Sequence, residues 1–314
     1  MRVSTSQVFR SGVDNIQRSQ QDLSRTQLQL GSGKRILSPS DDPSGAVKSL
    51  QLTSAVGKLE QYERNALSVT QRLRSTETVL TSVGDGLQRV RELVVQGNNG
   101  SQTNETRAMI AGEIAQVRDE LLQLANSQDA NGEYLFAGLR SWDQPFIDEG
   151  NRVRYAGDDG QRAVQISAVR TVPVGDPGQS VFSVKPPGED GPEPRMLFDL
   201  YADVVSALKN GPDADGDGES ESFHGAMGQA LGDLDQALGR LLETRTSLGA
   251  RMNTVETQSR VNEDQLLQVK TALSEVQDLD YAEAISRFNL QQTALQAAQQ
   301  TFVQVQRLSL FNFL

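Results

Sequence analysis

The chain has 314 residues, no cysteine and a single histidine, His224. Disulfides, thiolate nucleophiles, Cys-ligated metals and His-rich metal sites are thereby excluded, and a Ser–His–Asp arrangement has one candidate base. With 30 Lys and Arg against 41 Asp and Glu the net charge is −11, which opposes capture of nucleic acid; 37% hydrophobic and 5% aromatic content fits long helices and coiled coils better than a dense enzyme core.

Residues 1–40 carry six basic and two acidic side chains. Phe9, Ile16, Leu23 and Leu30 recur every seven residues, with Val13 alongside. The start lacks the apolar segment of a cleavable secretory signal, and no run of about 18 or more apolar residues exists, so no membrane span is expected. Composition alone places the chain in the cytoplasm.

Asp42 and Pro43 read as N-cap and first helical residue. From there Leu52, Leu59, Ala66, Leu73, Leu80, Leu87 and Val94 hold one heptad register. Ala55, Tyr62, Val69, Thr76, Val83 and Val90 hold the other. The spacing predicts a helix over 44–97, about 80 Å long. Gly84 and Gly86 weaken its middle by about 1 kcal/mol each relative to Ala, so Asp85 between them reads as a tolerated defect rather than a hinge. A shorter helix over 104–129 carries Ile110, Ile114, Val117, Leu121 and Leu124 on one stripe.

Eight of the ten prolines fall between Pro145 and Pro212, whereas 44–144 and 213–314 have none. Proline is excluded from helix interiors, so the order is helical arm, insert, helical arm. The insert, 141–224, holds sixteen acidic and seven basic side chains and reads as a solvated module. Val153–Tyr155 and Val164–Ile166 alternate around Gly157–Gly160, which predicts one hairpin. Val172, Val174, Val181, Phe182 and Val184 suggest further strands, Pro186–Gly188 and Gly191–Pro194 read as loop, and 196–209 reads as an amphipathic helix.

The second arm has Leu231, Leu238, Arg245, Met252, Ser259, Leu266 and Leu273 in one register. Leu234, Leu241, Leu248, Val255, Asn262, Val269 and Val276 hold the other. Beyond it, Tyr281, Phe288, Leu295 and Phe302 recur by seven, with Ala284, Ala298 and Val305 alongside, and Asp280 with Glu283 offers a capping-box-like start. The fold class is mainly α: an elongated antiparallel coiled-coil helical bundle built from both chain ends, with a small α+β, hairpin-rich insert. Its parts are 1–40 plus 280–314, 41–140 plus 225–279, and 141–224. The two arms are expected to form their own core without the insert. The terminal seams are narrow and carry Gln20, Gln27 and Gln291 as fillers. Their helices either pack on each other within one molecule or are completed by neighbouring subunits.

No catalytic constellation, cofactor site or metal site is expected. Asp213-Ala214-Asp215-Gly216-Asp217-Gly218 matches the first half of an EF-hand loop, but position 12 is His224 where a bidentate Glu is needed, so a solvated acidic loop is the reading. His224 reads as a surface or capping residue, and Gly33-Lys34-Arg35 lacks the spacing of a P-loop.

The ends carry a resemblance. Leu30-Gly31-Ser32-Gly33-Lys34-Arg35-Ile36-Leu37-Ser38-Pro39-Ser40-Asp41-Asp42-Pro43-Ser44-Gly45-Ala46 resembles the N-terminal signature of bacterial flagellins and their junction relatives. Asp280-Tyr281-Ala282-Glu283-Ala284-Ile285-Ser286-Arg287-Phe288, with Gln291-Gln292 and Ala297-Ala298-Gln299-Gln300, resembles the C-terminal one. Leu124-Ala125-Asn126-Ser127 and Asn131-Gly132-Glu133-Tyr134-Leu135-Phe136-Ala137-Gly138 look like the segment before the insert of the hook–filament junction members. The resemblance implies a structural, non-enzymatic role between hook and filament. The terminal helices would form the inner layer and the insert would face outward. The implied partners are hook-associated protein 1, flagellin, further copies of the chain and an export chaperone at the C-terminal region. Secretion through the flagellar type III apparatus to the cell exterior, without a cleaved signal, is implied as well. A short flagellin is the alternative within the family, and an enzyme or Ca-binding module carried in the insert is the alternative of another class. Phe9, Val13, Ile16, Leu23, Leu30, Tyr281, Ile285, Phe288, Leu295, Phe302 and Val305 are the expected packing residues.

Overall fold

The computed structural model describes residues 5–150, 152–184, 195–211 and 220–311. In chain order these form α1 (Thr5–Ser32), α2 (Pro43–Gly97), α3 (Asn104–Ala125), β1 (Phe146–Asp148), β2 (Val153–Tyr155), β3 (Ala163–Gln165), β4 (Thr171–Pro173), α4 (Gly178–Phe182), α5 (Leu197–Asn210), α6 (Ser220–Gln277) and α7 (Tyr281–Phe311). The acidic loop Asp213–Gly218 and the proline-rich loops 186–188 and 191–194 lie outside the described residues.

Backbone packing groups the chain into two units, 1–60 with 263–314, and 61–262. The sequence suggested three parts; here 141–211 shares one continuous buried cluster with α2, α3 and α6, because Phe146, Phe182 and Phe198 of the insert bury together with Leu73, Leu80 and Leu234 of the arms.

Heptad position governs burial in the larger unit. Ala66, Val69, Leu73, Thr76, Leu80, Val83, Leu87, Val90 and Val94 of α2 are all buried, as are Leu234, Leu241, Leu248 and Val255 of α6. The second α6 register, Leu231 to Ser259, is half-buried. Its polar members find partners: both Arg245 Nε and Nη2 donate to Glu77 Oε1, at 3.0 and 2.7 Å, and the Ser259 hydroxyl donates to Glu63 at 2.6 Å. Gly84 and Gly86 leave α2 unbroken. A Cβ on Gly84 would stand 3.1 Å from the Leu241 side chain, so this glycine permits close approach of two helices. Thr103 caps α3 by accepting from the Thr106 N–H at 3.2 Å, and Asn126 ends it.

The insert pairs its strands differently from the expected hairpin. β1 pairs antiparallel with β2, Phe146 opposite Tyr155, and β3 with β4, Ala163 opposite Pro173. Gly157–Gly160 joins the two hairpins. Its conformation is fixed from outside: the Asp158 carboxylate accepts from Leu139 and Gly160 N–H, and the Asp158 N–H donates to the Ala137 carbonyl. Those two N–H groups hold the Asp158 carboxyl below its ordinary pKa, Leu139 contributing most. Val172 lies in β4 as expected, but Val181 and Phe182 belong to α4, and Val174 and Val184 are buried outside any strand. Tyr155 ties these pieces together, its hydroxyl lying 3.0 and 2.9 Å from the Phe136 and Asp158 carbonyls and accepting from Gly178 N–H at 3.2 Å. Burial pushes its pKa up to about 12.

Candidate assembly surface

In the smaller unit α1 and α7 pack along each other. Their far ends meet through Phe9 and Phe302, ring centroids 5.1 Å apart, and Gly12 makes room: a Cβ there would come within 2.8 Å of the Phe302 ring. Their near ends are joined by the signature stretch. Gly33, at φ 69°, turns the chain out of α1, and a Cβ on it would press on the Tyr281 hydroxyl at 2.9 Å. The Gly33 carbonyl accepts from Leu279 N–H at 3.0 Å, and Arg35 donates from its N–H to the Gln277 carbonyl at 2.8 Å and from Nη2 to the Val276 carbonyl at 2.9 Å. The buried Gln29 side chain donates to the Arg35 carbonyl at 2.7 Å.

The paired aspartates of the signature organise the turn into α2. Asp41 accepts from Leu37 and Ser38 N–H at 3.1 and 3.0 Å and pairs with Arg25 at 2.7 Å. Asp42 caps α2 by accepting from Gly45 N–H at 2.9 Å, and pairs with Arg35 at 3.2 Å. The Ser38 and Gly45 N–H groups are the largest causes holding the two carboxyls below the ordinary value. At the start of α7, Asp280 accepts from Ala282 and Glu283 N–H at 2.9 and 3.2 Å.

The expected packing residues divide into two sets. Val13, Ile16, Leu23, Leu30, Phe288, Leu295 and Phe302 are half-buried, so the α1–α7 contact covers only part of each stripe. Phe9, Tyr281 and Ile285 are about half exposed to solvent, at 49%, 52% and 50%. The Val305 side chain lies outside the described ones. Ala284, by contrast, is fully covered. Of the glutamines read as seam fillers, Gln20 and Gln27 face solvent, and Gln291 is half-buried with no partner for Oε1 among the described residues; the buried polar residues among the described side chains of α1 are Thr26 and Gln29.

Sequence reading missed Leu28, Leu290 and Val303, large apolar side chains left exposed on α1 and α7 off the heptad stripes. Their signal is an apolar residue at a non-seam position of a Gln- and Ser-rich helix. Leu50 of α2 and Leu267 of α6 are exposed in the same unit. Apolar side chains are thus exposed on α1, α2, α6 and α7 of this unit. His224 lies on the surface, its Nδ1 2.6 Å from Asn98 Oδ1. Among the described residues no helix is long and apolar enough to cross a membrane.

Residues 3–141 match the model of the bacterial flagellin N-terminal helical region, and 231–314 that of the C-terminal helical region. Flagellar hook-associated protein 3 of Escherichia coli is 32% identical over 318 residues, covering 99% of both chains. The flagellar filament core protein flaB2 of Brachyspira hyodysenteriae is 28% identical over 277 residues, covering 88% of this chain and 86% of that one. Among solved structures, flagellar hook-associated protein 3 of Legionella pneumophila aligns with a TM-score of 0.65 at 20% identity, over 72% of this chain and 98% of that one, a likeness of fold.

Proposed function

The chain belongs to the bacterial flagellin family, in the group of flagellar hook-associated protein 3, and from that premise we propose that it is a structural adaptor joining the hook-associated junction to the flagellin filament. The observation that carries this reading is the relationship to hook-associated protein 3 along the whole length. The chain is a component of the flagellum, and its work is packing rather than chemistry. The exposed apolar side chains of α1 and α7 support a surface completed by neighbouring molecules.

On this reading hook-associated protein 1 lies on one side and flagellin on the other, with further copies of the chain alongside. The packing residues are Phe9, Val13, Ile16, Leu23, Leu30, Tyr281, Ile285, Phe288, Leu295, Phe302 and Val305. Residues 1–40 and 280–314 form the inner layer, 41–140 and 225–279 the next, and 141–224 the outer one. An export chaperone covers the C-terminal region until the chain leaves through the flagellar type III apparatus with no signal removed.

A second reading, a short flagellin that polymerises by itself, draws on the match to a filament core protein. Electron microscopy of cells lacking the protein separates the two. Intact hooks without filaments, with flagellin shed into the medium, are expected. Normal hooks bearing partly shortened filaments would instead identify a minor flagellin.

A further inference from the structure

Three asparagines in this chain precede glycine: Asn99–Gly100, Asn131–Gly132 and Asn210–Gly211. In such a pair the backbone nitrogen of the glycine can attack the asparagine side-chain carbon, and no Cβ obstructs the approach. The attack needs a glycine nitrogen that is not engaged elsewhere and a backbone free to bend.

Two of the three are held. Gly132 N–H donates to the Asp129 carbonyl at 3.0 Å, Asn131 N–H donates to the Asp129 carboxylate at 2.8 Å, and Gly132 sits at φ 82°, a conformation that calls for glycine. Gly211 N–H donates to the Ala207 carbonyl at 3.0 Å where it ends α5, at φ 72°. Turn and cap explain both glycines.

Asn99–Gly100 differs in its glycine nitrogen, while the Asn99 N–H donates to the Gln96 carbonyl at 3.2 Å. The pair lies exposed between α2 and α3, and among the described residues the Gly100 N–H has no acceptor. Gly100 is not in the left-handed region, and a Cβ on it would meet nothing within 4 Å. Neither conformation nor space requires glycine here. The Asn99 side-chain oxygen accepts from the Ser101 N–H and hydroxyl, both at 3.1 Å, which polarises the carbonyl carbon that would be attacked.

The surroundings give the reaction a consequence. The Asn99 main-chain carbonyl accepts from Gln102 N–H at 3.1 Å and from Arg107 Nη2 at 3.4 Å. Arg107 is 5% exposed, and its other partners are the Gly97 carbonyl, the Asn104 side-chain oxygen and the Phe223 ring face. All of these are neutral, and among the described residues no carboxylate pairs with this buried guanidinium.

We infer that Asn99 is a self-modification site. The Gly100 nitrogen bonds to the Asn99 side-chain carbon, losing its proton, and the amide leaves as ammonia. Water then opens the resulting succinimide to an aspartyl or isoaspartyl residue. In the isoaspartyl product the Asn99 main-chain carbonyl that Arg107 holds becomes the free carboxylate, and the main chain runs one atom longer through the former side-chain carbon. In the aspartyl product the new carboxylate stands where the side-chain amide met Ser101.

The test is peptide mapping by mass spectrometry of the full chain aged in mildly alkaline buffer, folded and in urea. In the folded protein Asn99 converts several-fold faster than Asn131 and Asn210. In urea the three rates converge, since the sequence context is then alike. Gly100→Ala suppresses conversion at Asn99 without changing the melting midpoint. Conversion of Asn131 or Asn210 as fast as Asn99 in the folded chain overturns the inference. So does an intact Asn99 in folded protein after the urea sample has reacted, or an undiminished rate in Gly100→Ala.

Discussion

Arg72 of α2 shows how single side chains fix the larger unit. Its guanidinium donates to Asp129 at 2.6 Å, to Glu133 at 3.0 Å and to the Tyr134 carbonyl at 3.0 Å, and it is 8% exposed. Glu133 keeps a second cation, Arg162, at 2.9 Å, whereas among the described residues Asp129 has none. Arg72→Ala leaves the largely buried Asp129 carboxylate with only the Asn131 and Glu133 N–H groups as donors and should cost about 3 kcal/mol, read as a lower urea midpoint by circular dichroism. A loss below about 1 kcal/mol would mean the cluster behaves as an exposed pair. Asp41 and Asp42 belong to another regime, since both are solvent-accessible and lie below the ordinary 3.8. Folding favours their charged forms, so their contribution is present above pH 3.8 and fades as pH falls through the lower folded values. Hydrogen exchange at Ser38 and Gly45 should stay slow down to that range and quicken below it. Quickening well above pH 3.8 would show that the carboxylates do not hold the loop. The motif containing them was legible in the sequence; their grip on Ser38 and Gly45 N–H was not, because it depends on loop geometry.

Long helices were legible because their period repeats over many turns, and the register that predicted α2 and α6 also predicted which residues are buried. Three-residue strands carry no comparable signal. Val153–Tyr155 and Val164–Ile166 fit a hairpin by alternation, yet their pairing is decided by Asp158, which is tied to Ala137 and Leu139 some twenty residues earlier. Glycines inside helices are equally opaque to sequence, since their role depends on what faces them. Gly112 is exposed in α3 with nothing within 4 Å of a Cβ, whereas a Cβ on Gly97, at the end of α2, would stand 2.5 Å from buried Leu208. Gly112→Ala should therefore raise stability by about 1 kcal/mol through helix propensity. Gly97→Ala should lower it by about 1–3 kcal/mol through overpacking. Denaturation midpoints that move in the same direction for both would remove the distinction between an idle and a spacing glycine.

For the molecule as a whole, the insert's proline and charge content differ sharply from the arms, but composition does not report side-chain packing, and its aromatics join the arms' buried cluster. The terminal seam was legible as a pattern. What the pattern could not give is the fraction buried within one chain, which decides the outcome of a substitution there. Phe302 touches Phe9 and crowds Gly12, is only half-buried, and takes no part in the buried cluster of the larger unit. Removing its ring should cost the isolated chain about 1 kcal/mol, well short of the loss for a fully buried ring. The main thermal transition, carried by the larger unit, should hardly move. If α1 and α7 are completed by neighbouring molecules, the same substitution strips an apolar group from every subunit contact it enters, and the small monomer effect is multiplied across the array. Phe302→Ala should then melt nearly as the parent does by circular dichroism while failing to restore filaments in cells lacking the protein. Phe182→Ala, at the centre of the buried cluster, should do the reverse to the melt and lower it strongly. A large drop in the Phe302→Ala melt, together with normal filaments once the variant is supplied in excess, would place the stripe inside the monomer and refute its role in assembly.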